Sequence, residues 1–282
     1  MRSRRSPDGR LVGGYRLEER LGRGGGGDVY RAARPGTGAT VALKLLRDPG
    51  SLALVERARA VHHPGLAAIL ATGTDPAGAF VVMELLRGST LRDVLARRGR
   101  LPLQGALAVL LPVLDALEAA HAAGLVHGDL TPDNVLLERL DGGGARVRVL
   151  DLGGFPPAPD GDTIAGSAAY LSPEQAAGEP LDARSDVFGA GLLLFELLAG
   201  GPPFDAGAPV ATAYAIVHRP APPVGDARVQ PVLDVALAKA PGDRYQGVAA
   251  LRAALVALAP AAVAAAGGES VNAAVLSALA GP

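Results

Sequence analysis

The sequence predicts an α+β protein with two lobes: a small antiparallel β-sheet lobe with one helix, followed by a larger, mainly helical lobe. Between residues 15 and 86, short apolar runs of β-favouring residues alternate with glycine-rich turns, which is the pattern of antiparallel strands. From residue 89 onwards, apolar residues recur at intervals of three and four, the spacing of amphipathic helices. With 282 residues, 49% of them hydrophobic, the chain is long enough for each lobe to bury a core.

The elements follow this division along the chain. The first lobe contains five predicted strands and one helix, at residues 15–21, 29–33, 40–46, 51–61 (the helix), 69–73 and 79–83. In the second lobe, helices are predicted over 90–98 and 103–123, and a long apolar helix runs from Asp186 to Leu198. The predicted domain limits are a flexible tail at 1–14, the first lobe and its connecting strand at 15–86, the second lobe at 87–259, and an Ala/Gly-rich tail at 260–282.

Composition excludes several classes of protein. The formal net charge of −1 gives no bias towards nucleic-acid or membrane partners. The absence of cysteine excludes disulfides and thiolate metal sites, and is typical of a reducing compartment. Residues 1–10 lack the apolar centre of a signal peptide, and Pro260 interrupts the mildly apolar run at 251–266. We therefore expect a soluble cytoplasmic protein without nucleic-acid or membrane partners.

Two local features of the first lobe indicate phosphate binding. Residues 22–29 fit Gly-x-Gly-x-x-Gly-x-Val, and glycines allow a hairpin backbone to lie close over phosphates, although a flexible turn has the same composition. Lys44 is one of only two lysines among 27 basic residues, the other being Lys239. In a chain so rich in arginine, a retained lysine indicates a need for a compact ammonium group.

The stretch 125–137 is the centre of the predicted second lobe. Two apolar, β-favouring pieces flank a polar middle with a proline, so we predict a loop between short buried strands that carries Asp129 and Asn134. A carboxylate and an amide on one rigid loop can accept a hydroxyl proton and help to bind a hard cation. Hydrogen bonds within a turn are the alternative role for the same two residues.

The string from His127 to Asn134 resembles the catalytic loop of protein kinases, His-Arg-Asp-Leu-x-x-x-x-Asn. Other kinase landmarks flank it in the expected order. They are the glycine-rich turn, the Val-Ala-Leu-Lys strand that ends at Lys44, the Asp-Leu-Gly at 151–153, and the Tyr-Leu-Ser-Pro-Glu-Gln at 170–175. Over residues 15–256 the chain is identified as a member of the bacterial, eukaryotic-like serine/threonine protein kinases, with a bilobal protein-kinase-like fold.

This resemblance implies an ATP site. Lys44 would contact the α- and β-phosphates, Met83 would be the gatekeeper, and backbone groups near Glu84 and Leu86 would bind adenine. The implied nucleotide-binding residues are Leu21, Gly22, Arg23, Gly24, Gly25, Gly26, Gly27, Asp28, Val29, Ala42, Lys44, Met83, Glu84, Leu86 and Leu136.

The resemblance also implies the catalytic and metal-binding residues. Asp129 would orient or deprotonate the acceptor hydroxyl, with Lys44 and Thr131 beside the transferred phosphate. Asn134 and Asp151 would bind Mg²⁺, or Mn²⁺ in its place. Two further residues have structural roles in the family: Asp186 would brace the catalytic loop, and Arg244 would pair with Glu174.

Three positions depart from the family pattern. Gly128 replaces an arginine that often pairs with a phosphorylated activation segment, where Thr163 and Ser167 lie here. Thr131 replaces a lysine near the transferred phosphate, which removes electrostatic stabilisation of the transition state. The helical glutamate that should pair with Lys44 falls at Leu54, so either Glu56 substitutes for it or the ion pair is absent.

Three functions are compatible with these residues. The leading interpretation is a serine/threonine protein kinase that uses Mg-ATP and a protein substrate, whose turnover Thr131 and the missing glutamate together would make slow. The second is a pseudokinase that binds nucleotide and acts as a scaffold or allosteric partner, which Leu54 and Thr131 favour. The third is a small-molecule phosphotransferase, against which the Ser-Pro-Glu-Gln segment argues because it is a feature of protein-substrate kinases.

Overall fold

The computed structural model describes residues 9–152 and 168–258. These residues divide into two compact units: 9–62 with 67–86, and 63–66 with 87–152 and 168–258. The sequence predictions for the tails, including the weak helix near 271–279, and those for Gly153, Thr163 and Ser167 lie outside the described residues.

The first unit is a six-stranded antiparallel sheet with the strand order β1-β2-β3-β4-β6-β5. A single α-helix, α1, lies between β4 and β5 in the chain. The bounds are β1 Leu11–Val12, β2 Tyr15–Gly24, β3 Gly27–Ala33, β4 Thr40–Leu46, α1 Leu52–Arg59, β5 Ile69–Asp75 and β6 Gly78–Glu84.

The sheet buries apolar side chains on both faces. Alternate residues of a strand point to opposite faces, so β4 contributes Val41 and Leu43 to one cluster and Leu46 to the other. The first cluster includes Leu17 and Phe80 from neighbouring strands. The second contains buried residues from β4, β6 and α1, namely Leu46, Ala79, Val81 and Val55. The face that α1 covers is therefore the face to which the even-numbered residues of β4 belong.

The second unit is mainly helical, with a three-stranded antiparallel sheet in the order β7-β8-β9. A 3-10 turn at Pro132–Asn134 leads directly into β8. The bounds are β7 Gly88–Thr90, α2 Leu91–Arg98, α3 Leu103–Ala122, β8 Val135–Arg139, β9 Ala145–Val149, α4 Pro173–Ala177, α5 Ala183–Ala199, α6 Pro209–His218, α7 Gln230–Ala236 and α8 Val248–Leu258.

Helices α3 and α5 form the centre of this unit. Most residues of both helices are buried, including Leu110, Leu114, Phe188 and Leu193, so both are apolar on nearly all sides. By length and composition alone, α3 could also cross a membrane, but 61% of its apolar window is buried by protein. Such burial is expected of the core helix of a helical domain.

The predicted combination of a sheet lobe with one helix and a mainly helical lobe is confirmed. One local prediction is wrong: in the described residues between α3 and the catalytic loop there is no strand, although β8 follows the loop. The reason lies in the hydrogen bonds of this segment. The Leu125 N–H donates to the Ala120 carbonyl at the end of α3, and the His127 N–H donates to the side chain of Asp186, so neither joins a strand ladder.

Candidate active site

The glycine-rich turn joins β2 and β3 through the pair Gly24 and Gly27. Gly27 has φ 149°, and a Cβ there would lie 1.9 Å from the Leu45 carbonyl oxygen, so the fold itself requires glycine. A Cβ on Gly22 or Gly24 would meet nothing within 4 Å. The sheet therefore does not need glycine at these two positions.

Several predicted nucleotide-binding residues share one face of the first sheet. Lys44 is paired across strands with Val29 of β3 and Val81 of β6, and Ala42 is paired with Met83. Directly paired residues of an antiparallel sheet point to the same face, and so do residues two apart in a strand. Val29, Ala42, Lys44 and Met83 therefore lie on the face that α1 covers, and the Lys44 side chain is buried there.

Glu56 of α1 interacts with strand β5. Its carboxylate accepts a hydrogen bond from the hydroxyl of Thr72. Thr72 is paired with Val81, which in turn is paired with Lys44, so Thr72 stands two strands away from the lysine on the same face. Leu54, at the family's glutamate position, is half-buried. In this structure Glu56 thus fastens α1 to β5.

The end of β6 is fixed by a reciprocal pair of hydrogen bonds. The Glu84 N–H donates to the Ala68 carbonyl at 3.0 Å, and the Glu84 carboxylate accepts the Ala68 N–H at 2.6 Å. Met83 packs at the edge of the cluster under α1. The predicted adenine-binding stretch, up to Leu86, is therefore a half-buried segment with a fixed backbone at its start.

In the second unit, the catalytic loop brings Asp129 and Asn134 into direct contact. The Asn134 Nδ2 group donates to the Asp129 carbonyl at 2.8 Å and to the Asp129 carboxylate at 2.9 Å. Asn134 ends the 3-10 turn, so its position follows from the proline that starts this turn. Because the amide nitrogen is directed at Asp129, the amide oxygen is the atom with which Asn134 can bind a cation.

The side chain of Asp186, in α5, holds this loop in place through hydrogen bonds to its backbone. Its buried carboxylate accepts the N–H groups of His127 and Gly128, each at 2.8 Å, and the Nε2–H of His121 from α3 at 2.7 Å. Gly128 has φ 69°, in the left-handed region that glycine adopts readily. The brace expected from the resemblance is thus present.

Asp151 is connected to the same loop through its neighbour Leu150. The Leu150 carbonyl accepts a hydrogen bond from His127 Nε2 at 2.8 Å, and its N–H donates to the Asn134 carbonyl at 2.8 Å. Asp151 has φ 56° and is the only non-glycine residue with positive φ within residues 9–152 and 168–258. Strained backbone of this kind is often found at functional sites.

Asn134 and Asp151 offer hard oxygen donors, the type that Mg²⁺ prefers. Neither here nor elsewhere in the described ranges is there a group of three or more His, Asp or Glu side chains that could hold a metal ion. A cation bound by Asn134 and Asp151 would need further ligands, which phosphate oxygens or water can supply.

The segment after residue 167 is fastened to the catalytic loop. Ser172 and Gln175 form a capping box at the start of α4, and Gln175 Nε2 donates to the Gly128 carbonyl at 2.6 Å. Buried Glu174 accepts two hydrogen bonds from Arg244, at 2.8 and 2.7 Å, and one from Ser185 at 2.6 Å. Burial raises the pKa of Glu174, but the hydrogen bonds from Arg244 and Ser185 outweigh it and lower that pKa overall.

A second ionic cluster beside the catalytic loop was not predicted. Arg92, in the first turn of α2, donates to Asp133 at 3.2 Å and to Glu196 of α5 at 3.0 Å. Tyr170 donates its hydroxyl to the other Glu196 oxygen at 2.7 Å, and the Arg92 guanidinium lies over the Tyr170 ring. The sequence contains no local signal for this cluster, since its members are up to 104 residues apart.

Comparison with known proteins defines the class to which this fold and these sites belong. Residues 15–239 match the family model described as the protein kinase domain. The chain therefore belongs to the protein kinase domain family.

The curated relatives are bacterial proteins named as serine/threonine kinases. The chain is 39% identical over 269 residues to a probable serine/threonine-protein kinase of Streptomyces coelicolor, which covers 86% of this chain and 39% of the relative. It is 38% identical to serine/threonine-protein kinase PknB of Mycolicibacterium smegmatis and 37% identical to PknB of Mycobacterium tuberculosis, in each case over 86% of this chain and 42% of the relative. The chain thus spans about two fifths of the length of these relatives.

Proposed function

We propose that this chain is the catalytic domain of a serine/threonine protein kinase, which transfers the γ-phosphoryl group of Mg-ATP to a hydroxyl of a protein substrate. The observation that carries the proposal is the hydrogen-bonded pair of Asp129 and Asn134, on a loop braced by buried Asp186. The family match and the names of the relatives support it. They favour the kinase over the pseudokinase and over the small-molecule phosphotransferase.

In this proposal, catalysis depends on positioning and on charge neutralisation, because phosphoryl transfer needs little covalent help from a protein. Asp129 accepts a hydrogen bond from the acceptor hydroxyl and takes its proton as the hydroxyl oxygen bonds to the γ-phosphorus, while the bond from that phosphorus to the β,γ-bridging oxygen breaks and ADP leaves. Asn134 fixes the Asp129 carboxylate through its amide nitrogen, so the carboxylate does not have to reorient during the reaction. Lys44 holds the α- and β-phosphates. Asn134 and Asp151 would hold Mg²⁺, which would supply neutralisation of the phosphate charge when bound.

The metal can be Mn²⁺ instead, since the same hard oxygen donors bind either ion. We further propose that the chain works in the cytoplasm, where ATP is available, without nucleic acid or lipid as a ligand. The protein substrate is a hydroxyl-bearing segment that reaches the catalytic loop.

The experiment that tests the proposal follows transfer from γ-labelled ATP, with Mg²⁺ or Mn²⁺, to the chain itself and to a generic basic protein. Lys44→Met and Asp129→Asn should abolish the transfer. Asp141→Asn is the matched control for the second substitution, because Asp141 is a fully exposed carboxylate in the turn between β8 and β9. We expect it to transfer at the wild-type rate.

Melting temperatures of the same samples separate the alternatives. Mg-ATP at 100 times its Kd should stabilise a nucleotide-binding chain by about 2.7 kcal/mol. Stabilisation without transfer above the Lys44→Met background would favour the pseudokinase, for which the engagement of Glu56 with Thr72 is the structural argument. Transfer to small-molecule acceptors but not to proteins would favour the phosphotransferase.

A further inference from the structure

Lys239 is a lysine that the proposed phosphoryl transfer does not use. It is one of only two lysines among 27 basic residues, and the other, Lys44, belongs to the proposed nucleotide site. Lys239 lies between α7 and α8 in the second unit, and its side chain is half-buried. An arginine keeps its proton in proteins, whereas a lysine can lose it, so only a lysine could act as a nucleophile at this position.

The Lys239 ammonium is held by two aromatic rings and a backbone carbonyl. Its Nζ atom lies 3.8 Å from the centre of the Phe204 ring and 5.6 Å from the centre of the Phe188 ring. The same atom donates a hydrogen bond of 2.5 Å to the carbonyl of Ile216, in the last turn of α6. A cation at the C-terminal end of a helix interacts favourably with the helix dipole, so Lys239 stabilises the end of α6.

The charges around Lys239 favour the neutral amine. No carboxylate among the described residues forms an ion pair with it. The Arg244 guanidinium lies 4.9 Å from the centre of the Phe188 ring and donates to the Lys239 carbonyl at 2.9 Å. Burial, and then the positive charge of Arg244, lowers the pKa of Lys239 from 10.5 to about 8. At pH 7.5 about a quarter of the amine is therefore neutral, against about a thousandth for an exposed lysine.

The contacts of the neutral amine leave its lone pair available. One N–H group is directed at the Ile216 carbonyl, and the second can lie against the π face of Phe204. Because these two contacts use both N–H groups, the lone pair is on the third side of the nitrogen and can attack an electrophile. Lys44, by contrast, is only 4% exposed.

We propose that Lys239 is an acylation site, at which the side-chain amine takes an activated acyl group from an acyl phosphate or an acyl thioester. The amine nitrogen forms a bond to the acyl carbon, and the bond from that carbon to the phosphate oxygen or the thioester sulfur breaks. The leaving group takes up the proton that the amine loses. Acylation removes the positive charge and with it the cation–π contact, so the last turn of α6 becomes less stable.

Acylation is measured by peptide mass spectrometry after incubation with acetyl phosphate or with acetyl-CoA. The reference is the variant Arg16→Lys, which adds a lysine at an exposed position of β2. In the folded protein Lys239 should react about tenfold faster than this reference lysine, because a larger fraction of its amine is neutral. In concentrated urea, where the surroundings of Lys239 are lost, the two rates should agree within about twofold.

The donor that reacts, or the reaction of both, identifies the source of the acyl group. A Lys239 rate no higher than that of the reference lysine with either donor would overturn the proposal. An excess of the Lys239 rate that persists in urea would also overturn it, because the folded surroundings would then not be its cause.

Hydrogen exchange of α6 measures the consequence of acylation. Lys239→Gln imitates acyl-lysine, and Lys239→Arg is the matched control that keeps the positive charge. We expect amides in the last turn of α6 to exchange about threefold faster in Lys239→Gln and in the acylated protein than in wild type, and Lys239→Arg to stay near wild type. Should Lys239→Gln fold poorly, the acylated wild-type protein provides the same comparison.

Unchanged exchange of α6 in the acylated protein would overturn the role of Lys239 at this helix. Neither measurement involves phosphoryl transfer, so failure of the acylation site and failure of the kinase proposal are distinguishable.

Discussion

At the scale of single residues, the Asp129 carboxylate is positioned from two directions. Asn134 donates to it within the loop, and Asp186 holds the two backbone N–H groups that precede it in the chain. Each of these bonds connects a charged group to a donor, which makes it stronger than a neutral hydrogen bond. The loop is therefore arranged before any substrate arrives, as electrostatic catalysis requires.

Thr131 stands where the family pattern has a lysine near the transferred phosphate, so this position has no positive charge. We expect Thr131→Lys to raise kcat for protein phosphorylation by about tenfold to hundredfold, since a positive charge near the transferred phosphate stabilises the transition state. Thr131 is buried, so the new side chain would have to extend its ammonium towards the open side of the loop. Steady-state rates are compared with those of Thr131→Met, which adds similar length without charge. An equal change in both variants would contradict the electrostatic explanation.

Residues whose chemistry depends on local spacing could be predicted from the sequence. The sequence places Asp129 and Asn134 on one short loop, and the structure shows them in direct contact. Their chemical roles, and that of Lys44, remain predictions from the family motifs. The contacts of Glu56 with Thr72 and of Arg92 with Glu196 could not be predicted. They depend on how a helix packs against a strand or another helix, which has no short-range signature.

At the scale of elements, the hairpin of β2 and β3 contains a glycine that the fold requires and glycines that it does not. We expect Gly27→Ala to lower the free energy of unfolding by about 1–3 kcal/mol, because the added Cβ meets the Leu45 carbonyl and φ is positive. Gly24→Ala has open space and should stay within about 0.5 kcal/mol of wild type. If Gly24 lies over phosphates, this variant should nevertheless raise the KM for ATP. Urea unfolding and nucleotide titrations measure the two effects, and equal stability of both variants would be incompatible with this distinction.

The contact of Glu174 with Arg244 fastens α4 to the loop before α8. We expect Arg244→Met to lower the free energy of unfolding by about 3–5 kcal/mol, because it leaves a buried carboxylate without its charged partner. The double variant Arg244→Met/Glu174→Met should lose less. A double variant as unstable as the single one would mean that packing of the arginine, rather than its charge, stabilises this contact.

The same pair makes stability depend on pH. The folded pKa of Glu174 is lowered from 4.5, so its contribution is complete above pH 4.5 and is lost as the pH falls through the folded value. Glu174→Gln should lack this component. Urea unfolding between pH 7 and pH 3 would then give a shallower loss of stability for the variant. Parallel curves for both proteins would assign the acid sensitivity to other groups.

The strand that the sequence predicts before the catalytic loop illustrates a limit at the level of elements. Leu125 and Val126 are apolar and β-favouring, as residues of a strand would be. In the structure Leu125 is buried without belonging to a strand. The polar backbone groups find partners in α3 and in Asp186 instead. The hydrophobic pattern and the strand propensity of a sequence indicate which side chains are buried. They do not determine the hydrogen-bond partners of the backbone groups, which depend on the tertiary structure.

At the scale of the whole molecule, the question is whether activity depends on the phosphorylation state. In the family, an arginine before the catalytic aspartate often pairs with a phosphorylated activation segment, and Gly128 has no side chain for that purpose. Here the Gly128 carbonyl accepts a hydrogen bond from Gln175, and its N–H donates to Asp186. The hydrogen bond from the neutral Gln175 amide thus connects the loop to the segment that follows residue 167.

We therefore expect activity that does not require a phosphorylated chain. Phosphatase-treated protein, and the variant Thr163→Ala/Ser167→Ala, should transfer phosphate to a protein acceptor within about twofold of the untreated wild type. Gln175→Ala should reduce the rate more than the double variant does, because it removes the hydrogen bond to Gly128 and one of the two hydrogen bonds of the capping box of α4. Initial rates are measured after the phosphatase has been removed, with mass spectrometry to verify dephosphorylation. A tenfold or greater loss on dephosphorylation that is recovered during incubation with ATP would show that a phosphate group orders the site by another route.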